Sequence, residues 1–435
     1  MKRISIVGLG YIGLPTAISA AQVGYDVYGY DIDAEKIKNI NAGNPTIIEP
    51  EIYERLWKAL KSGNFKAFSE LQYADCFVIA VPTPFKPDNK TADLSYVLQA
   101  GQAIAKCLMP GNLVIVESTV PVGATATLAM LLEEESGLKN GIDFFIAHCP
   151  ERVLPSKIFK ELAENDRVIG GMCQRSCDLA HQFYAKFVKG FLHVTDDKSA
   201  EMVKLIENTS RDVQIAFANQ VDAMCQRAGL DTYHVIELAN KHPRVKILNP
   251  TCGVGGHCIA VDPWFLVESF PEDTQLLQAA RAINDAKPYH VIDKVLRKVA
   301  TLKQQGNAQP KVLALGLAFK PDVDDIRQSP ALLIAQELNE KKDALSLVVH
   351  DHMISKEQIA QHQLASMPDL WQAIAWADIV VILVKHKEFM LITHETLHNK
   401  IVIDTCGLLH DTRTKQSHAM LEGATKTRLE NLFGS

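Results

Sequence analysis

Residues 3–13 read Arg-Ile-Ser-Ile-Val-Gly-Leu-Gly-Tyr-Ile-Gly, and this stretch decides the fold. A short run rich in β-branched side chains and ended by Gly8 predicts a buried strand of a parallel sheet. The glycines at 8, 10 and 13 then form the pattern G-x-G-x-x-G where a helix is predicted to begin. A strand, a glycine turn and a helix in this order predict the first part of a doubly wound α/β sheet.

The glycine turn predicts a dinucleotide site. Its first glycine permits a tight turn, Gly10 lets the backbone approach a pyrophosphate, and Gly13 lets the helix pack closely on the strand. Tyr11 and Ile12 complete the turn, and the helix N-terminus offers free N–H groups to phosphates. Asp31 follows the next strand, where its carboxylate would accept hydrogen bonds from both ribose hydroxyls and repel a 2′-phosphate. The pattern therefore favours NAD over NADP, against the alternative of a glycine turn that binds nothing.

The alternation of strands and helices continues and later resumes. After the strand at 26–30, short apolar runs predict further strands at 76–81, 113–117 and 144–147, and then at 312–316, 345–350, 379–384 and 401–404. Between the two sets, apolar residues recur at helical spacing from Lys198 to Ala239, which predicts one long helix with shorter ones after it. We expect two Rossmann-like doubly wound parallel-sheet domains joined by a long central helix.

The domains are expected at 1–197 for NAD binding, 198–300 for the central helical region, and 301–435 for a second nucleotide-binding domain. Residues from about Thr412 are expected to form a loosely ordered tail. The long helix could serve as a dimerisation face or simply as part of a buried bundle.

Composition excludes several classes of protein. The 45 basic and 51 acidic residues give a net charge of −6, which disfavours nucleic-acid binding. The 9 cysteines are odd in number and irregularly spaced, so we expect reduced thiols, and no metal site is predicted. No apolar run is long enough to span a bilayer. The first residues resemble a signal peptide, but the glycine turn explains them better, so a cytoplasmic protein is expected.

Three loops carry candidate functional residues. Thr83, in residues 81–84, and Thr119, in residues 117–121, follow strands at the edge where open α/β sheets bind ligands, although such loops can also be ordinary turns. Residues 252–263 read Cys-Gly-Val-Gly-Gly-His-Cys-Ile-Ala-Val-Asp-Pro. Glycines there could expose Cys258 as a nucleophile, whereas a lone cysteine is more commonly a small buried side chain.

Nearly the whole chain resembles the UDP-glucose/GDP-mannose dehydrogenase family. The resemblance rests on the glycine turn and on further motifs in the family's order, namely Glu117–Pro121, Pro150–Pro155, Lys204 with Asn208, Gly253–Pro263 and Gly316–Pro321. The version of the cysteine loop resembles the branch that oxidises UDP-N-acetyl-D-mannosamine. Members that act on UDP-glucose usually carry serine at the position of His257.

The resemblance implies a four-electron oxidation of a sugar C6 alcohol to a carboxylate, with NAD as the oxidant. Cys258 would capture the aldehyde as a thiohemiacetal, which a second hydride transfer turns into a thioester that water hydrolyses. Lys204 would stabilise oxyanions, Asn208 would donate a hydrogen bond, and Asp262 would position Lys204 or the water. Glu151 would be the base for hydrolysis, with Thr119 ordering the same water. Without the resemblance, Lys204 could be a solvated helix lysine and Asp262 an acid in a turn. Glu151 could simply form an ion pair with Arg152.

The resemblance also implies contacts to the nucleotide sugar on both sides of a cleft between the α/β domains. Arg244 is similar to an arginine that reaches the substrate of the neighbouring subunit, which implies a homodimer. The remaining residues expected at the substrate are Glu151, Arg152, Val153, Leu154, Lys204, Asn208, Gly255, His257, Phe319 and Lys320, with Arg327 in the same loop as the last two.

The sequence departs from the family at a few positions. Thr251-Cys252 replaces the usual Gly-Pro, so Cys252 is a candidate second accessible thiol. Cys406 stands where relatives carry a basic residue, and His352 where a proline is usual. The product implies a role in surface polysaccharide synthesis. The alternatives are UDP-N-acetylglucosamine or UDP-glucose as substrate, a simpler hydroxyacid dehydrogenase, and a nucleotide-sensing module without catalysis.

Overall fold

The computed structural model describes residues 1–86, 88, 90–154 and 156–411. The chain forms two compact units that are each assembled from two segments. The first unit contains Met1–Asn208 and Val261–Thr274, and the second contains Thr209–Ala260 and the residues from Gln275 onward. The predicted tail from Thr412, like Pro155 of the 150–155 motif, lies outside the described residues.

Twelve strands are described, and all are short. They are β1 Arg3–Val7, β2 Asp26–Tyr30, β3 Phe65–Phe68, β4 Cys76–Ile79, β5 Leu113–Val116, β6 Phe145–His148, β7 Arg167–Gly171, β8 Leu192–Asp196, β9 Lys311–Leu315, β10 Ser346–His350, β11 Ile379–Ile382 and β12 Ile401–Asp404. The predicted strands are confirmed to within about two residues at their ends.

The described helices vary widely in length. They are α1 Gly13–Gln22, α2 Ala34–Asn41, α3 Ile52–Lys61, α4 Ser95–Ala105, α5 Ala124–Ser136, α6 Ile158–Glu164, α7 Gln174–Tyr184, α8 Asp197–Ala228, α9 Thr232–Ala239, α10 Asp262–Ser269, α11 Gln275–Gln304, α12 Pro330–Asn339, α13 Lys356–Gln361 and α14 Leu370–Trp376, followed by a 3-10 turn at Glu388–Leu391. The predicted long helix is confirmed as α8. The shorter helix predicted after it, before Ala239, is confirmed as α9. A second long helix, α11, has 30 residues and contains Pro288; the sequence analysis made no prediction for it.

The first unit is built on an eight-stranded sheet in the order β3-β2-β1-β4-β5-β6-β7-β8. Along β4, Cys76 and Val78 enter one apolar core and Phe77 and Ile79 enter another, so helices cover both faces of the sheet. One expectation is corrected, because β7 runs antiparallel to β6. An apolar run marks a strand but carries no information on its direction, so the sequence could not show this reversal.

The second unit carries a parallel sheet in the order β10-β9-β11-β12. Here too, alternate residues of β9 enter two different apolar cores. The predicted pair of parallel-sheet domains with a long helix between them in sequence is therefore confirmed, apart from the antiparallel pair. No described helix is long and apolar enough to cross a membrane.

Candidate active site

The glycine turn after β1 has three positions with different physical demands. Gly8 has a φ of +94°, and a Cβ atom there would lie 2.7 Å from the carbonyl oxygen of Ala80. A Cβ atom at Gly13 would lie 1.8 Å from the carbonyl oxygen of Gly8. A Cβ atom at Gly10 would meet nothing within 4 Å. The protein itself requires the outer two glycines, whereas Gly10 leaves open space beside the N-terminus of α1, as a pyrophosphate site needs.

Asp31, at the end of β2, is tied to the same turn. Its Oδ2 accepts a hydrogen bond from the Leu9 N–H (2.9 Å) and an ion pair from Lys36 Nζ (2.8 Å). Its Oδ1 accepts the Asp33 N–H at 3.1 Å. Because a carboxylate offers about four acceptor positions, these contacts fix its orientation and leave room for a ribose hydroxyl.

The other two expected cofactor loops lie beside each other. Thr83 follows β4 and Thr119 follows β5, and both side chains are half-buried. Ser118 Oγ donates a hydrogen bond to the carbonyl oxygen of Val81 at 2.7 Å, which joins the two loops. Tyr11 and Ile12 of the glycine turn are also half-buried. The cofactor residues predicted from the sequence thus lie on consecutive strand ends of one sheet.

Three predicted catalytic residues meet in the first unit. Lys204 is buried on α8, and Asp262 is buried where α10 begins. Asn208, one turn after Lys204, donates a hydrogen bond from Nδ2 to Asp262 Oδ2 at 2.5 Å. Burial raises the pKa of the Asp262 carboxyl to about 6, and the nearby Lys204 cation and the Asn208 hydrogen bond oppose that rise. The group combines a buried cation with an acid that titrates in the physiological range.

His148 is a residue near this group that the sequence analysis missed. It ends β6 and is fully buried, and neither ring nitrogen has a hydrogen-bond partner within the described structure. Burial lowers its pKa to about 3, with the neighbouring charge of Lys204 adding to the shift. The imidazole is therefore neutral beside Lys204. A polar residue at the end of an otherwise apolar strand was the available signal.

Glu151 lies in a buried ion-pair network that the sequence did not reveal. Its Oε2 pairs with the guanidinium of Arg167, and its Oε1 accepts the Arg152 N–H at 2.6 Å. The Arg152 side chain instead pairs with Glu207 at 2.6 Å, so the alternative in which Glu151 pairs with the side chain of Arg152 does not hold. The partner is Arg167 because β7 lies beside β6 in the sheet, a pairing that has no local sequence signal.

The rest of the predicted substrate segment follows directly. Val153 is half-buried and Leu154 is exposed, and the Leu154 N–H donates to Glu161 Oε2 at 2.8 Å. Glu49 accepts the N–H groups of Ser156 (2.8 Å) and Ile158 (2.7 Å). The carboxylates of Glu161 and Glu49 thus fix the backbone of this segment. The side chains of Val153 and Leu154 remain partly or largely exposed and could contact a ligand.

The cysteine loop belongs to the second unit, where Cys258 is exposed. A Cβ atom at Gly255 would lie 2.4 Å from the Gln328 carbonyl oxygen, and one at Gly256 would lie 2.8 Å from the Phe319 ring. The glycines therefore let the loop pack against the segment that contains the predicted residues Phe319 and Lys320. The loop that carries the candidate nucleophile thus packs against Phe319, one of the expected substrate contacts.

His257 and Arg244 are the remaining substrate candidates, and Cys252 and Cys406 are the cysteines at which the sequence departs from the family. Burial lowers the pKa of His257, as does nearby Arg327. Arg244 is exposed. The expectation that Cys252 is an accessible thiol is wrong, because the side chain is buried and burial raises its pKa to about 12. Burial also raises the pKa of Cys406 well above its usual range, so neither departure adds a reactive thiol.

One cluster in the second unit has the residue types of a metal site. Asp322, His352 and His386 place potential ligand atoms within 4.8 Å of one another. These atoms already bond within the protein: His386 Nδ1 accepts the Asp322 N–H at 3.0 Å, and Asp322 Oδ1 accepts the Lys387 N–H at 2.9 Å. His352 Nδ1 lies 3.0 Å from Glu388 Oε2. These contacts hold the three side chains in place through bonds within the protein.

Comparison with known proteins gives the same picture over the whole chain. Residues 2–188 match the NAD binding domain of the UDP-glucose/GDP-mannose dehydrogenase family, 198–286 its central domain and 313–411 its UDP binding domain. A UDP-N-acetyl-D-mannosamine dehydrogenase of Campylobacter jejuni is 45% identical, over 89% of this chain and 96% of its own. An NDP-N-acetyl-D-galactosaminuronic acid dehydrogenase of Ralstonia nicotianae is 44% identical, over 94% and 96%.

A solved UDP-D-ManNAc dehydrogenase from Pyrococcus horikoshii superposes with a TM-score of 0.85 at 40% identity, covering 94% of this chain and 96% of its own. The three matched domains, the relatives over nearly the full length and the glycine turn with Asp31 agree. The chain belongs to the NAD-dependent UDP-glucose/GDP-mannose dehydrogenase family.

Proposed function

We propose that the protein oxidises the C6 alcohol of UDP-N-acetyl-D-mannosamine to the carboxylate in two NAD-dependent steps. The observation that carries the proposal is the buried group in which Lys204 lies beside the hydrogen-bonded pair of Asn208 and Asp262. A dehydrogenase with one hydride transfer needs no cysteine, so the exposed Cys258 favours the longer reaction. The names of the relatives from Campylobacter jejuni and Pyrococcus horikoshii support this substrate.

The reaction assigns one role to each residue. NAD held at the glycine turn would accept one hydride in the first oxidation, and a second NAD would accept the hydride of the second. After the first, the Cys258 sulfur attacks the aldehyde carbon and forms a thiohemiacetal whose oxyanion Lys204 stabilises. The second oxidation gives a thioester. Water then attacks the acyl carbon, the carbon–sulfur bond breaks, and Glu151 accepts the proton of the water, with Thr119 ordering it.

A second candidate substrate is the UDP-N-acetylhexosamine of galacto configuration. The relative of Ralstonia nicotianae, whose name refers to an N-acetyl-D-galactosaminuronic acid, is 44% identical to this chain. UDP-N-acetylglucosamine and UDP-glucose remain alternatives from the sequence. His257, in place of the serine usual in enzymes acting on UDP-glucose, favours an N-acetylated sugar.

We also infer the setting of the reaction. All 9 cysteines are free thiols, which fits the cytoplasm, and a uronic acid product fits precursor synthesis for a surface polysaccharide. Residues 1–197 would serve NAD binding, 198–300 assembly and catalysis, and 301–435 UDP-sugar binding. We expect a homodimer, with Arg244, which is exposed, reaching the substrate of the partner.

The test is the stoichiometry of NADH formation with each of the four UDP-sugars as limiting substrate. We expect two NADH per molecule of UDP-N-acetyl-D-mannosamine, and loss of turnover in a Cys258→Ala variant with NAD binding retained. Two NADH per molecule of another sugar would assign that sugar as the substrate and support the same mechanism. One NADH per sugar, or normal turnover of Cys258→Ala, would reject the covalent mechanism.

A further inference from the structure

Arg167, at the start of β7, lies between two buried glutamates. Its Nη1 donates to Glu117 Oε1 at 3.0 Å, and its Nη2 donates to Glu151 Oε2. All three side chains are at most 8% exposed. A guanidinium is planar and rigid, so two such contacts in a dry site fix the orientation of the carboxylates it meets.

The two carboxylates are not equivalent. Glu117 also accepts hydrogen bonds from Tyr184 Oη (2.7 Å) on α7 and from Thr16 Oγ1 (3.2 Å) on α1. Burial raises the pKa of Glu117 despite the adjacent arginine. The charge of Arg167 and the hydrogen bonds from Tyr184 and Thr16 oppose that rise, so Glu117 is held by three donors. Glu151 is held by two.

Glu151 is the member with access to water. It and Arg167 line a small open pocket, whereas the Glu117 side chain is fully buried. Besides Arg167, the Arg152 N–H holds Glu151 through its other oxygen at 2.6 Å. Each carboxylate oxygen therefore has one fixed donor and retains a further acceptor position for a water molecule.

We propose that Arg167 is a positioning residue that orients the Glu151 carboxylate toward the water that hydrolyses the Cys258 thioester. The inference rests on the proposed function. In that step a water oxygen attacks the acyl carbon, the Cys258 thiolate leaves, and the water proton moves to Glu151. Arg167 itself does not touch the substrate; it limits the directions that the Glu151 lone pairs can take. A carboxylate displaced by about 1 Å can cost roughly 100-fold in rate.

Arg281 offers a matched control for a merely structural role. It is also a buried arginine between two carboxylates, with Nη1 2.6 Å from Asp212 Oδ1 and Nη2 paired with Asp285. It lies on α11 in the second unit. A substitution there tests what the loss of a buried guanidinium costs in folding alone.

The experiment compares Arg167→Lys, Glu151→Gln, their double variant and Arg281→Lys in rapid mixing with saturating NAD and UDP-N-acetyl-D-mannosamine. We expect Arg167→Lys and Glu151→Gln to form two NADH per chain in the first turnover and then to slow by about 100-fold. Intact mass should show the acyl group retained on Cys258 in both. The double variant should turn over no more slowly than the slower single variant, because Arg167 acts only through Glu151 and the two effects are therefore not additive. Arg281→Lys should accumulate no acyl group.

Several results would overturn the inference. One is an Arg167→Lys protein whose turnover slows without a covalent acyl group on Cys258, and another is an Arg167→Lys protein in which only KM changes. A third is a double variant whose loss of rate equals the product of the two single losses. If Arg167→Lys fails to fold, Glu117→Gln keeps the test open: it leaves Arg167 paired with Glu151, so hydrolysis should proceed without an accumulating acyl group, and accumulation would reject the inference. A Glu151→Gln protein that accumulates no acyl group while wild type forms two NADH would instead reject the proposed mechanism.

Discussion

At the scale of single residues, the candidate active site consists largely of buried polar side chains. Lys204 and Asp262 were predictable because they lie in motifs that resemble a known family. Arg167 and His148 were not, because their importance comes from neighbours on other strands that no local pattern records. The sequence could name candidate catalytic groups, whereas the orientation of their side chains depends on contacts between residues that are distant in sequence.

The pKa of Asp262 leads to a prediction at this scale. Because that pKa is about 6, the carboxylate gains a proton as pH falls through 6, and Lys204 then loses its adjacent negative charge. We expect kcat to fall below about pH 6. The Asp262→Asn variant should lose about 100-fold in kcat and show no such limb. Steady-state rates between pH 5 and 9 check this.

The control for Asp262 is another buried aspartate beside a lysine. Asp222 pairs with Lys287 at 2.5 Å, and this pairing with other hydrogen bonds lowers its pKa although burial opposes the shift. Asp222→Asn should therefore keep the limb near pH 6. A limb that persists unchanged in Asp262→Asn would assign it to another group.

The strands and helices show what local pattern can and cannot predict. Apolar runs located β4, β5 and β9 because both faces of such strands are buried. The edge strand β8 escaped because its residues are largely exposed. β3 and β7 were not predicted either, and the antiparallel direction of β7 depends on the path of the connecting chain.

The turn between β1 and α1 provides a prediction for an element. Gly13→Ala should lower stability by about 1–3 kcal/mol, because its Cβ atom would meet the Gly8 carbonyl oxygen. Gly10→Ala should leave the melting temperature nearly unchanged and raise the KM for NAD roughly tenfold, since its Cβ atom would enter only the space left for the pyrophosphate. Thermal melting and NAD titration check both. Equal losses of stability would show that Gly10 also serves the fold.

The exposed surface of α8 matters for the whole molecule. Ile206, Phe217 and Met224 are 48%, 52% and 57% exposed. Their spacings of eleven and seven residues place them on one face of the helix, since both are close to whole numbers of turns. Exposed apolar side chains on one face of a long helix favour association with a second copy.

We predict that Phe217→Asp converts a dimer into a monomer of about 48.1 kDa, because a buried charge in an interface without a partner is costly. Light scattering coupled to size exclusion measures the mass. Met130→Asp, at a 63% exposed apolar residue on α5, should remain dimeric. A wild-type protein that is already monomeric would contradict the proposed assembly.

The division of the chain has a consequence for engineering. The first unit contains the residues up to Asn208, which lies within α8, and also Val261–Thr274. Neither unit is therefore one continuous stretch of sequence. A fragment that stops at Asn208 would lack Asp262, and one that starts there would begin in the middle of a helix. Chimeras between relatives that aim to exchange one whole unit must therefore join the parents at three points, after Asn208, after Ala260 and after Thr274. A single crossover after Asn208 would pair Asn208 of one parent with the Asp262 position of the other.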